Sequence, residues 1–250
     1  MQRYFTPVEQ IDGKAAQILG DDVHHLLRVM RAQVGDEIIL SDGRGKAYRA
    51  SIHEISSNQV NCTIEEELQH QSEMPVQITL AQSMPKGEKW DWILQKCTEL
   101  GVHAFLPFIS ERTIVKLDNQ KEGKRRERWE RIIKEAAEQS HRNYLPRLHP
   151  LHQWKELLQA ASQYDLVLMA YEGEEEYQFA QALRSKAELH SILIIIGPEG
   201  GFASHEVQEA INHGVSIVTL GPRILRTETA GLYALSCCSY HFEQNGGSER

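Results

Sequence analysis

With 250 residues, 41% hydrophobic and 25% charged, the chain can hold one large or two modest packed domains of ordinary globular composition. The longest apolar runs, 166–170 and 192–196, are strand-sized, which excludes a membrane-spanning helix. A net charge of −8 argues against gripping nucleic acid through bulk charge, yet residues 84–147 hold 14 basic and 10 acidic side chains, a local surplus able to meet phosphates.

Residues 1–70 read as β structure with one short helix. Asp21 and Asp22 supply cap chemistry for a helix over 23–30, where Val23, Leu26, Leu27 and Met30 recur at three-and-four spacing. Strand-like runs follow at 37–40, 47–55 and 59–64, separated by the Asp42-Gly43-Arg44-Gly45 turn and by Ser56-Ser57-Asn58. Short strands joined by tight turns predict a small barrel. The polar stretch 65–75, closed by Pro75, is the expected linker.

From residue 76 the rhythm becomes strand, helix, strand, helix. Strands are expected at 76–82, 104–109, 165–170, 192–196 and 215–220. Helices are expected at 88–100, 124–142, 152–161, 174–188, 204–213 and 227–242, with Gly101 and Gly214 as stops and Ser204 and Thr227 as caps. Such alternation predicts an α/β architecture, a largely parallel sheet covered by helices. Four cysteines without Cys-x-x-Cys spacing, and a start with no apolar leader, point to the cytoplasm.

Two glycine-punctuated segments carry the functional signal. They are Ile194-Ile195-Ile196-Gly197-Pro198-Glu199-Gly200-Gly201-Phe202 and Leu220-Gly221-Pro222-Arg223-Ile224-Leu225-Arg226-Thr227-Glu228-Thr229-Ala230. Each is an apolar strand that stops at a glycine, and the carboxyl edge of a parallel sheet is where ligands bind. Gly200-Gly201 lets a ligand approach the backbone, although a tight strand-to-helix turn is the plainer account of two glycines. Neither a Rossmann nor a P-loop spacing is present. In the second segment a guanidinium and a carboxylate near a pocket mouth can orient a polar base or neutralise a phosphate; the alternative is that Arg226 and Glu228 satisfy each other. Ala170-Tyr171-Glu172-Gly173, ending another buried strand, is a third contributor.

With these residues in view, the sequence closely resembles the SPOUT-class methyltransferases with a C-terminal trefoil knot, and within them the enzymes that methylate N3 of a uridine in 16S rRNA. The resemblance continues through Lys96-Cys97-Thr98-Glu99-Leu100-Gly101-Val102, Ser110-Glu111-Arg112 and Glu135-Ala136-Ala137-Glu138-Gln139-Ser140-His141-Arg142. It reaches Arg3 and His25-Leu26-Leu27-Arg28-Val29-Met30-Arg31, and so spans nearly the whole chain. Family patterns often have glycine at His141 and an apolar-Leu-Arg run at Val29-Met30-Arg31.

The resemblance implies a PUA-like RNA-binding barrel over 1–72 and a knotted transferase over 73–250. It implies a homodimer acting on 16S rRNA within the small ribosomal subunit. S-adenosyl-L-methionine would lie bent in the knot, its adenine held by backbone groups of Ile196, Gly197, Leu220, Ile224 and Leu225. Gly200, Gly201, Tyr171 and Glu172 would close the site, with Ala170, Pro198, Glu199, Gly221, Arg223, Thr229 and Ala230 around it. Arg226 is expected to position the base or its phosphate, and Glu199 or Glu228 to accept the N3 proton, unless Glu199 merely holds the loop. For RNA, Arg3, His25, Arg28 and Arg31 of the barrel and Lys124, Arg125 and Arg142 of the basic region are candidates, together with His24, Arg44 and Arg49. Glu127, Glu135 and Glu138 share the helix face, so an ion-paired solvent face competes there, and only residues 121–126 read as a phosphate contact. Leu232, Leu235 and Tyr240 are expected at a dimer interface. Cys237-Cys238 reads as core packing. His149 and His152 lack further ligands, so no metal is expected.

Overall fold

A computed structural model describes residues 1–69, 72–114 and 122–244. The chain separates into two compact units, Met1–Glu73 with Ala137–Leu145, and Met74–Ala136 with Pro146–Arg250.

The first unit is a six-stranded sheet of β1 (Arg3–Phe5), β2 (Ile11–Asp12), β3 (Ala15–Leu19), β4 (Glu37–Ser41), β5 (Ala47–Ile55) and β6 (Gln59–Leu68), in the order β1-β4-β5-β6-β3-β2. All pairings are antiparallel except β1 with β4. Burial alternates residue by residue along β3, and the inward positions Ile18, Ile38, Leu40, Ile52, Val60 and Cys62 share one core with Tyr4. A sheet whose strands all turn one face to a single core must curl around it. Burial pushes the Cys62 thiol up to about 11.

Val23 and Leu26 plug this core from α1 (Asp21–His24) and a π-helical turn, His25–Val29. The expected single helix is thus two short pieces. Its first residue follows Gly20 (φ 69) with no side-chain cap bond, so Asp21 and Asp22 act in the first turn, where carboxylates suit the helix dipole, and not as caps. Strand β6 is longer than expected and absorbs Glu65–Glu67 of the supposed linker. Those residues are polar because their strand segment is exposed, and Arg49 pairs there with Glu66 (3.1 Å) and Glu37 (2.8 Å). His70 and Gln71 of that stretch lie outside the described residues.

A buried polar network fastens residues 137–145 into this unit. Arg3, 4% exposed, donates from Nη1 to Ser41 Oγ (3.0 Å), Arg142 O (3.1 Å) and Asn143 Oδ1. Arg142, 2% exposed, donates from Nε to Glu73 Oε2 (3.2 Å) and ion-pairs through Nη2. Glu73 Oε1 also accepts the backbone N–H groups of Asn143 (3.0 Å) and Tyr144 (3.1 Å). Both arginines, expected on an RNA surface, therefore hold the unit's interior. His141 has φ 60, a left-handed conformation that glycine adopts without strain, which gives the family's glycine at this position a physical reason.

The second unit is a parallel sheet of β7 (Gln77–Ser83), β8 (Ala104–Ile109), β9 (Arg147–Leu148), β10 (His152–Gln153), β11 (Leu166–Ala170), β12 (Ser191–Ile196) and β13 (Ser216–Val218). The order is β10-β8-β7-β12-β11-β13, with β9 also on β8. Helices α2 (Lys89–Glu99), α3 (Glu122–Gln139), α4 (Trp154–Ala161), α5 (Phe179–Leu183), α6 (Ser204–Asn212) and α7 (Thr227–Ser239) connect or follow them, and a π-helical turn, Tyr240–Gln244, extends α7. Residues Ile192–Ile196 are all buried, as a strand covered on both faces requires.

Three helix expectations change. Residues 152–153 join the sheet, and α4 begins after them with Glu156 accepting the Gln153 N–H (2.7 Å). The helix expected over 174–188 shrinks to five residues. Glu174 accepts the N–H groups of Glu176 and Tyr177 (both 2.9 Å), a turn that competes with helix, and these bonds hold its carboxyl below the ordinary value. Ser204 is the first residue of α6 and not its cap: the Ala203 N–H goes to the buried Glu206 carboxylate (2.9 Å). No described helix is long and apolar enough to cross a membrane.

Candidate active site

The strand order reverses at β7: the chain leaves β7 towards β8 on one side, and β12 lies on its other side. Loops at the carboxyl ends of neighbouring strands diverge at such a reversal and leave a crevice. The loops after β7, β12, β11 and β13 stand along this edge, and they contain most of the expected cofactor residues.

The loop after β12 is anchored from below. Phe202, 2% exposed, stacks nearly parallel on Phe108 (centroids 6.4 Å) and against Trp154 (5.7 Å). A Cβ on Gly197 would come within 2.8 Å of the Phe202 ring, so this glycine serves the anchor. Gly201 has φ +65, and a side chain there would strike the Glu172 carboxylate, so the loop after β11 closes on the loop after β12. Over Gly200 lies Arg112, which donates to the Gly200 carbonyl (2.9 Å). The space freed by Gly200 and Gly201, expected for a ligand, is thus taken by Arg112 and Glu172. Glu206 accepts the Glu111 N–H (2.9 Å) besides that of Ala203, tying this loop to the one after β8.

Thr227, the expected cap, does something else. Its hydroxyl donates to Gly197 O (2.6 Å) and accepts from Gln82 Nε2 (2.8 Å). It thereby joins the ends of β7 and β12 to the start of α7, while Arg226, the residue before the helix, offers its carbonyl to Thr229 and Ala230. Gln82 is fully buried, and its Oε1 has no hydrogen-bond partner among the described residues.

Lys89, at the first position of α2, was not singled out from the sequence. Its Nζ lies 3.1 Å from Glu199 Oε1 and 3.1 Å from Glu228 Oε2. Glu199 also accepts the Lys86 N–H (3.2 Å). Partial burial works against its charge, but backbone N–H donors and Lys89 prevail and hold its carboxyl below the ordinary value. Lys89 is shifted upward, chiefly by the nearby Glu228 carboxylate; its hydrogen bond is to Glu199, while Glu228 Oε2, buried, meets it as an ion pair. A signal was present: Lys86-Gly87-Glu88-Lys89 directly follows a buried strand, and Gly87 (φ 67) makes the turn.

Around this cluster, Leu220, Ile224 and Leu225 donate no backbone N–H to another described residue, so their donors are open to a ligand. Arg223 and Arg226 are exposed with no side-chain bond to a described residue, and Ile224 is 90% exposed. Ala170 ends β11, and Tyr171, Pro198, Gly221, Thr229 and Ala230 sit on the same loops or on the first turn of α7.

The RNA candidates divide. Arg28, Arg31 and Lys124 are exposed; Arg125 is half-buried in a small cleft with Trp129 and His149. His25 bonds through Nδ1 with the Tyr4 hydroxyl (3.0 Å). Lys121 lies outside the described residues. On α7, Leu235 is fully buried in the chain's own core, whereas Tyr240 is 58% exposed.

Comparison with known proteins identifies the family of the chain. The RNA methyltransferase domain family matches residues 72–239, and the RNA methyltransferase PUA domain family matches residues 18–65. Ribosomal RNA small subunit methyltransferase E of Bacillus subtilis (strain 168) is 42% identical over 256 residues, covering 100% of both chains. The Synechocystis protein of the same name is 35% identical, covering 91% of this chain and 74% of that one. Among solved structures, the Neisseria gonorrhoeae protein of that name, bound to S-adenosyl methionine, superposes with a TM-score of 0.85 at 35% identity, covering 97% and 98% of the two chains. The chain belongs to the ribosomal RNA small subunit methyltransferase E family.

Proposed function

We propose that this chain transfers a methyl group from S-adenosyl-L-methionine to N3 of a uridine in 16S rRNA, acting on the small ribosomal subunit as a cytoplasmic homodimer. Residues 1–72 would serve as the PUA-like RNA-binding module and 73–250 as a SPOUT-type transferase with a trefoil knot. The observation that carries the reading is the gathering of four loops at the strand-order reversal, in a chain 42% identical over its full length to a relative named as a ribosomal RNA small subunit methyltransferase. The chain's own residues fit the cofactor: unpaired backbone donors at Leu220, Ile224 and Leu225 suit an adenine edge, beside the apolar Ile196 strand end. Bound there, S-adenosyl-L-methionine supplies an electrophilic methyl group.

The protein then has to hold uridine N3 in line and exclude water. Arg226, exposed and uncommitted, would orient the uracil or its phosphate and stabilise negative charge as N3 loses its proton. Glu199 is a weak proton acceptor, because a carboxylate held below its ordinary value by Lys89 and two backbone donors gains little by protonation. Arg28, Arg31 and Lys124 are left to meet phosphates, which position the RNA while the pocket reads the flipped base.

The deciding experiment is nucleoside mass spectrometry of 16S rRNA from cells with and without the gene. We expect 3-methyluridine to vanish in the deletion and to return with wild type but not with Arg226→Ala. Unchanged 3-methyluridine removes the uridine-N3 assignment, and loss of a different methylated nucleoside redirects it to another RNA base.

A further inference from the structure

Lys89 occupies a place where a lysine is locally unfavourable. It is the first residue of α2, and the positive end of a helix dipole disfavours a cation there. What offsets that cost is specific: two carboxylates, each 3.1 Å from Nζ, one from the loop after β12 and one from the first turn of α7. Without the lysine, Glu199 and Glu228 would be like charges converging on one point. The loop after β12 and the first turn of α7 are also joined by the Thr227–Gly197 hydrogen bond. Helices α2 and α7 also pack against each other, so a bridge at their starts acts on elements already in contact.

We infer that Lys89 is a positioning residue, a charged clamp that holds the Gly197–Phe202 loop and the Pro222–Glu228 segment at the spacing S-adenosylmethionine requires. The inference rests on the proposed function for the identity of the ligand, though the clamp itself is a property of the free protein. Lys89 need touch neither cofactor nor RNA to act, because it works through the two glutamates. Residues that break a local preference while satisfying partners far along the chain mark functional sites.

The test combines hydrogen–deuterium exchange of the ligand-free protein with calorimetric titration of S-adenosylmethionine. The variants are Lys89→Met, Lys89→Arg and the neutral triple Lys89→Met/Glu199→Gln/Glu228→Gln. In Lys89→Met we expect faster exchange confined to residues 197–203 and 222–229, and affinity lowered about tenfold, a modest figure because the pair is partly solvated. Lys89→Arg should restore most of the affinity. The triple variant leaves no carboxylate unpaired, so it should fold as wild type does and still bind weakly. Unchanged exchange and affinity in Lys89→Met overturns the clamp, as does wild-type affinity in the triple variant. If Lys89→Met unfolds globally, the triple variant alone decides between these outcomes. A wild type that binds no S-adenosylmethionine overturns the functional reading, while the exchange arm still judges the clamp.

Discussion

The Arg3–Arg142–Glu73 network of the first unit and the Lys89–Glu199–Glu228 cluster of the second use the same kinds of groups for opposite ends. In the first, both guanidinium groups are nearly sealed from water, and their partners include a backbone carbonyl, a hydroxyl, an amide and a carboxylate of the same unit. In the second, the lysine and Glu199 keep about a third of their side-chain surface, and the cluster stands at a strand edge beside loops with unspent donors. Burial makes a polar network structural, whereas partial exposure at a carboxyl edge leaves it able to respond to a ligand. Charge alone does not distinguish the two, and surroundings do.

That contrast can be broken at either end. The largest effect is expected from Arg142→Ala, which leaves the Glu73 carboxylate with the Ser72 hydroxyl and backbone N–H groups but no cation, and should cost about 3 kcal/mol in urea unfolding, with S-adenosylmethionine affinity of the folded fraction unchanged. A large loss of affinity without loss of stability would erase the division of labour. Thr227→Val comes next. It strips Gly197 O of its donor and Gln82 Nε2 of an acceptor inside a buried site, for about 1–3 kcal/mol, and here cofactor affinity should fall together with melting temperature.

Acid should separate the networks more gently. Glu199 is lowered in the folded protein, so its contribution is fully present above the ordinary glutamate value and disappears as pH falls through the lower folded value. The stability difference between wild type and Glu199→Gln should hold steady near neutrality and close in that acid window, at no more than about 1 kcal/mol. The smallest expected change has the opposite sign. His141→Gly relieves a left-handed residue at φ 60, a gain partly offset by the freer unfolded chain, and should stabilise by about 0.5 kcal/mol in the same unfolding assay.

How much of this could be read beforehand follows from what each feature depends on. The buried strands of the second unit were legible because a strand covered on both faces is apolar along its length, and residues 104–109 and 192–196 say so locally. Exposed strand at Glu65–Glu67 reads as a linker in the sequence, since polar residues on a solvated face look like loop. The helix over 174–188 failed because Glu174 ties its own backbone into a turn, a contest that periodicity does not register. The burial of Arg3 was invisible for a different reason: one of its acceptors lies 139 residues away. Lys89 and Glu199, 110 residues apart, were hidden in the same way, whereas the glycine loops announced themselves without any partner.

The segment Ala137–Leu145 completes a unit whose other residues end at Glu73. Synthesis runs from the amino end, so a growing chain that has just released its six strands still lacks Arg142 and Asn143, and Arg3 has Ser41 but waits for two of its acceptors. The apolar core of the first unit lies within residues 4–64, but its buried polar network is complete only once residue 145 has emerged, by which time strands β7 and β8 are also free to pair. A fragment cut at residue 73 would therefore keep the apolar core of the first unit while lacking the Arg142 and Asn143 partners of Arg3 and Glu73.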